Sequence, residues 1–166
     1  MKALKYTCLF LFFAGLACTS DVPEEIDEDW KNRNQETFLA ISEDEAYREI
    51  PSEGNNGSIY VKVLEEGTET ESVYYNSTVK VYYSGRLIDG TVFDSAEEPY
   101  KAAATFTVSS LIAGWTIALQ HMKVGDRWEI WIPYMLAYGT AGTSNGTIPP
   151  YSTLVFEVKL VGIIEQ

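Results

Sequence analysis

An α+β domain, built as one curved antiparallel sheet wrapped around a single short α-helix, is the architecture this sequence predicts. A signal peptide and a short N-terminal helix precede it. Three observations carry the prediction. From Ser58 onward, apolar and polar residues alternate with period two in five or six separate runs, the pattern of strands with one buried face. Among these runs only LIAGWTIALQHM has helical spacing. An antiparallel sheet cannot bury its apolar face alone, so that helix must lie across it.

The elements follow in chain order. The leader MKALKYTCLFLFFAGLAC has a basic start at Lys2 and Lys5, an apolar run from Cys8 to Ala14, and small residues before Cys18. That is a secretory signal, too short to span a bilayer. It resembles a bacterial lipoprotein signal, which implies removal of residues 1–17 and a lipid on Cys18. It departs from the usual pattern in placing Gly15, with Leu16 one place late, where leucine is common three residues before the cysteine. Simple secretion with an unmodified Cys18 is the alternative. Residues 18–57 form an acidic tether containing a short helix: between Asp21 and Glu53 there are twelve acids and three bases. TSDVPEEIDED is almost without apolar residues and reads as solvated chain. Trp30, Phe38, Ile41 and Tyr47 then recur at loosely helical spacing, predicting a helix from about Glu28 to Arg48. Its role as spacer, dimer contact or lid is open. PSEGNNG, residues 51–57, reads as linker.

The domain proper spans 58–166. SIYVKVLEEG is a strand closed by a glycine turn. STVKVYYSGRL sets Val79, Val81 and Tyr83 against Lys80, Tyr82 and Ser84. IDGT turns the chain into the short strand TVFDS, which ends at Asp94. ATFTV follows. Ile112, Trp115, Leu119 and Met122 make one helical stripe, and KVGD stops it. RWEIWIP alternates Trp128, Ile130 and Ile132 against Arg127, Glu129 and Trp131. Leu154, Phe156, Val158 and Leu160 share one face of the last strand. Before it lies AYGTAGTSNGTIPP, uncharged, with Tyr138 and Ile148 near its ends. Loops longer than about 12 residues are uncommon in small domains and are usually functional or disordered. A disordered loop is polar and charged, so this one reads as the wall of a pocket.

Several chemistries are excluded. The net charge of −12 offers no basic patch for nucleic acid. Both cysteines fall in the leader region, leaving no disulfide framework and no cysteine-based metal site. The one histidine, His121, has no nucleophile elbow to serve and reads as a surface or capping residue at a helix end. GTAGTSNG lacks the Lys-Ser/Thr of a phosphate loop. Glu97 and Glu98 read as solvated acids. What remains is a stock of aromatics, 13% of residues, including Tyr83, Phe93, Phe106, Trp115, Tyr138 and Phe156. Spacing alone leaves open whether they form a plain core or an apolar pocket.

VYYSGRLIDGTVFDS, LIAGWTIALQHMKVGDRWEIWIP, LAYGTAG and IPPYSTLVFEVKL together resemble the FKBP-type peptidyl-prolyl cis-trans isomerases, from about Ser58 to Ile164. The resemblance implies a half-conical sheet around the 112–122 helix with a pocket between them. It implies catalytic roles for Tyr83, Phe93, Asp94, Ile112, Trp115, Tyr138 and Phe156. Trp115 would floor the pocket, and the Ile112 N–H and the Tyr138 hydroxyl would hold carbonyls. Ala104, Leu111 and Ile148 would be substrate-binding. Asp94 has two readings, an acceptor for Tyr83 or the rotating carbonyl, and a turn cap. Ala104 stands where the family often has an aromatic, which lowers one wall, and the loop tip 143–146 carries no aromatic. The resemblance further implies proline-containing polypeptide clients in the bacterial cell envelope, macrolide-type ligands, and no metal or cofactor. A catalytically weak binding or chaperone module is the alternative, and a lipoprotein that captures an apolar small molecule is a third reading. Oligomeric state has no signal in the sequence.

Overall fold

The computed structural model describes residues 26–165. The leader, Cys18 and the first part of the tether lie outside the described residues.

Seven strands form one antiparallel sheet: β1 (Arg48–Pro51), β2 (Ser58–Glu65), β3 (Thr78–Leu87), β4 (Val92–Ala96), β5 (Ala104–Thr107), β6 (Arg127–Ile132) and β7 (Leu154–Glu165). The order across the sheet is β1-β2-β6-β7-β3-β4. β5 pairs with β3 on the same side as β4: β4 takes Tyr83 to Arg86 and β5 takes Thr78 to Val81. The chain between them, residues 97–103, is left off the sheet. The sheet is open, with short free edges at β1, β4 and β5.

Its inner face is the alternation read from the sequence. Ile59, Val61, Val79, Val81, Trp128, Ile130, Ile132, Leu154, Val158 and Leu160 are all at most 3% exposed. Across this face lies α2 (Ala113–His121), which contributes Trp115, Ala118 and Leu119, with Met122 just beyond its end. The helix is one residue shorter at each end than its apolar stripe, with Ile112 and Met122 as its caps. Ile112 is extended (φ −60°, ψ 149°) and serves as the N-cap. Gly114 lets the helix approach β6 closely, because a Cβ there would overlap the Ile132 side chain.

The N-terminal segment differs from expectation. α1 spans Glu28–Ser42, capped by Asp27, whose carboxylate accepts the Trp30 N–H at 2.9 Å. It stops short of Arg48 because Asp44 offers the backbone a local alternative, accepting the Ala46 N–H at 2.8 Å. Arg48–Pro51, divided in the sequence reading between helix and linker, is strand β1, and 52–57 turn the chain into β2. This gives seven strands where five or six were read. α1 packs against the outer face of the sheet. The Phe38 ring meets Tyr60 of β2 edge-on at 5.4 Å, Asn34 is fully buried, and Trp30, 8% exposed, joins the main hydrophobic core. Behind α1, Tyr47 packs edge-on to Trp131 and donates to Glu129 at 2.6 Å. That cover explains why Trp131 is buried on the supposedly exposed face, where Val155 is buried as well.

Candidate active site

Gly85 of β3 is opposed by Asp94 on one side and Phe156 on the other. A Cβ at Gly85 would lie 2.5 Å from the Phe156 ring and 2.8 Å from the Phe93 ring. The glycine therefore lets two aromatic rings fold down onto the strand, where they meet edge-on at 5.5 Å. Tyr83, two residues earlier and on the same face, meets Phe106 of β5 at 5.9 Å. Trp115 of α2 closes the set from below. Its ring makes edge-on contacts with Tyr83 (5.3 Å), Phe156 (5.2 Å) and Phe106 (6.0 Å). Aromatic pairs favour such edge-to-face geometry, so five rings from β3, β4, β5, α2 and β7 brace one another. They leave a cavity of about 310 Å³ lined by these rings with Asp94, Ser110, Leu111, Ile112 and Tyr138.

Polar groups are few. The Tyr83 hydroxyl donates to Asp94 Oδ2 at 2.6 Å. Burial pushes the Tyr83 pKa well above the ordinary phenol value, and the hydrogen bond to Asp94 and that carboxylate's charge push the same way. The phenol stays protonated and remains a donor. Neither the Ile112 N–H nor the Tyr138 hydroxyl has a hydrogen-bond partner among the described residues. Tyr138 is 42% exposed, at the mouth.

Eight of the residues named from the sequence line the cavity: Tyr83, Phe93, Asp94, Leu111, Ile112, Trp115, Tyr138 and Phe156. Two do not. Ile148 is 3% exposed and belongs to the core, tied to Thr143 by bonds from its N–H (2.9 Å) and to its carbonyl. Ala104 sits on β5 opposite Val81, packs against the core and is not in the lining. Two lining residues were missed as site residues. Phe106 was noted only as one of the aromatics. Ser110 had no signal at all, and its hydroxyl donates to the Thr107 carbonyl. His121 is exposed at the end of α2, its Nδ1 bonded to the Ile117 carbonyl at 2.8 Å, and is not in the lining. A second depression of about 290 Å³, beside Tyr82 and residues 97–100, is polar. Its cations are paired, Arg127 with Glu65 and Glu157, and Lys159 with Glu98.

Comparison with known proteins agrees with this geometry. Residues 69–161, more than half of the chain, match the family model described as FKBP-type peptidyl-prolyl cis-trans isomerase. A macrophage infectivity potentiator of Trypanosoma cruzi is 56% identical over 108 residues, 65% of this chain and 54% of that protein. The outer membrane protein MIP of Legionella longbeachae is 46% identical over 102 residues, 61% of this chain and 42% of that protein. The crystal structure of a peptidyl-prolyl cis-trans isomerase from Pseudomonas syringae superposes with a TM-score of 0.71 at 29% identity, covering 86% of this chain and 98% of that one. The chain spans about half the length of the curated relatives it matches. With the sheet, the α2 floor and the family match in agreement, the chain belongs to the FKBP-type peptidyl-prolyl cis-trans isomerases.

Proposed function

We propose that this protein accelerates cis–trans exchange of X-Pro bonds in polypeptides of the bacterial cell envelope, using the cavity floored by Trp115. The observation that carries the reading is the pairing of a five-ring apolar cavity with two unpartnered donors, the Ile112 N–H and the Tyr138 hydroxyl, in its lining. The peptide bond resists rotation by about 18–20 kcal/mol because resonance places double-bond character on C–N. Uncatalysed X-Pro exchange takes tens to hundreds of seconds. Twisting the bond cancels resonance and leaves a less charge-separated amide. Water favours the planar, polar form, and an apolar cavity removes that preference. Catalysis is then differential binding of the twisted state, with no nucleophile.

In this scheme Trp115, Tyr83, Phe93, Phe106 and Phe156 hold the proline ring. The Ile112 N–H and the Tyr138 hydroxyl fix carbonyls on either side of it. Asp94 acts through Tyr83: their 2.6 Å hydrogen bond fixes the phenol as part of the wall. Envelope residence rests on the leader and on the Legionella relative, which is named an outer membrane protein. A lipid on Cys18 and binding of macrolide-type ligands belong to the same proposal.

The low wall at Ala104 favours a second reading, a groove that holds prolyl segments and turns them over slowly. One experiment separates the two: exchange rates of a prolyl peptide with the soluble chain from Thr19, beside Trp115→Ala and Tyr138→Phe. Isomerisation predicts acceleration by wild type and a loss of at least about tenfold in kcat/KM for Trp115→Ala, a group worth several kcal/mol of contact. Peptide binding without acceleration by the folded wild type would give the groove reading instead.

A further inference from the structure

The segment before β7 is held from outside the cavity by α1. Trp30 Nε1–H donates to Ser152 Oγ at 3.1 Å, and Ser152 Oγ–H donates to the Pro149 carbonyl at 2.7 Å. Asn34 Oδ1 accepts the Thr153 N–H at 2.7 Å, while Asn34 Nδ2 donates to the Trp30 carbonyl at 2.8 Å. The Lys31 ammonium stands 5.1 Å from the centroid of the Tyr151 ring. Asn34, Ser152 and Thr153 are at most 3% exposed, so these bonds are shielded from water. A buried polar group left unmatched is costly, which makes the arrangement stiff. The same segment is bonded to the neighbour of a lining residue, Tyr138. Tyr151, held at φ +60°, donates its N–H to the Gly139 carbonyl at 3.1 Å, and its ring packs on Tyr134. Gly139 in turn donates to the Tyr134 carbonyl at 2.8 Å. Gly139 is the neighbour of Tyr138.

We propose that α1 is a positioning element for the cavity: Trp30 and Asn34 fix residues 149–153, and those residues fix the placement of Tyr138 at the mouth. No residue of α1 touches the cavity lining. The inference rests on the isomerase reading for its consequence in catalysis, but the bracing itself is measurable without it.

The test uses Trp30→Phe, which keeps a ring and removes the indole donor, and Ser152→Ala, which removes the relay. Hydrogen exchange of the Tyr151 and Gly142 amides, bonded to the Gly139 and Tyr138 carbonyls, is compared with exchange of the β3 amides. Bracing predicts that both variants speed exchange at Tyr151 and Gly142 while β3 is unchanged. A purely structural role predicts a uniform rise across the sheet, or none, and either result overturns the proposal. In catalysis, Trp30→Phe lowers kcat/KM by about three- to tenfold, the scale of one hydrogen bond. In a Tyr138→Phe background it has no further effect, because both changes act through one group. Independent, multiplying losses would overturn the positioning role. A wild type inert on prolyl peptides would sink the isomerase reading, while the exchange data still decide the bracing.

Discussion

At the scale of single residues, the cavity depends on an atom that is missing. Phe93 and Phe156 occupy the space where a Gly85 side chain would stand. Gly85→Ala must therefore displace one of the two rings, at about 1–3 kcal/mol for overpacking. The expected result is a modest fall in Tm with a disproportionate loss of kcat/KM on a prolyl peptide. Loss of stability with activity per folded molecule intact would show that the rings have room to adjust. Tyr83 illustrates how polar and apolar roles combine in one side chain. Its ring meets Trp115 and Phe106, while its hydroxyl is committed to Asp94. The sequence held both readings of Asp94, and the 2.6 Å bond favours the first.

At the scale of elements, the inner face was legible and the outer face was not. Period two in 128–132 and 154–160 separates buried from exposed when water lies on one side only. It does not foresee the burial of Trp131, because its cover comes from Tyr47, distant in sequence. β1 was hidden for a local reason: Pro51 reads as linker, yet it sits at a sheet edge where its missing N–H is harmless. The cavity was legible chiefly through the motifs, since spacing alone fitted a plain core equally well. Ile148 lies in the core and outside the lining, since a residue at a loop end can point inward as readily as toward a ligand. The Tyr47–Glu129 contact that joins this segment to the sheet has a pH signature. Burial works to raise the Glu129 pKa, but hydrogen bonds from Tyr47 and Trp131 and the charges of Arg86 and Lys62 outweigh it and hold it below the ordinary value. Its contribution is present above the unfolded pKa of about 4.3 and is lost as pH falls through the lower folded value. Burial first, then Glu129, raises Tyr47 to about 12. That contribution is complete below about pH 10 and is lost as pH rises toward the folded value. Glu129→Gln should flatten the acid limb of denaturant stability measured against pH. An unchanged acid limb would place the sensitivity elsewhere.

At the scale of the whole molecule, a protein with a net charge of −12 carries out its proposed chemistry in a cavity whose titratable lining is Tyr83, Asp94 and Tyr138. Phenols and carboxylates ordinarily titrate outside about pH 5–9. The kcat/KM for a prolyl peptide should accordingly be level from about pH 6 to 9. A bell-shaped profile within that range would mean that a titrating side chain takes part, and would contradict the scheme. The open sheet has one more consequence. In the proposed function the molecule works among segments seeking a strand to pair with, and any free sheet edge invites them. Here β1 is four residues long, with Arg48, Glu49 and Pro51 exposed, β4 is five residues long, carrying exposed Asp94, and β5 is only four residues long. Short, charged and proline-bearing edges are poor templates for strand addition. The protein can thus offer a client its cavity without offering its own backbone as the seed of a joint aggregate.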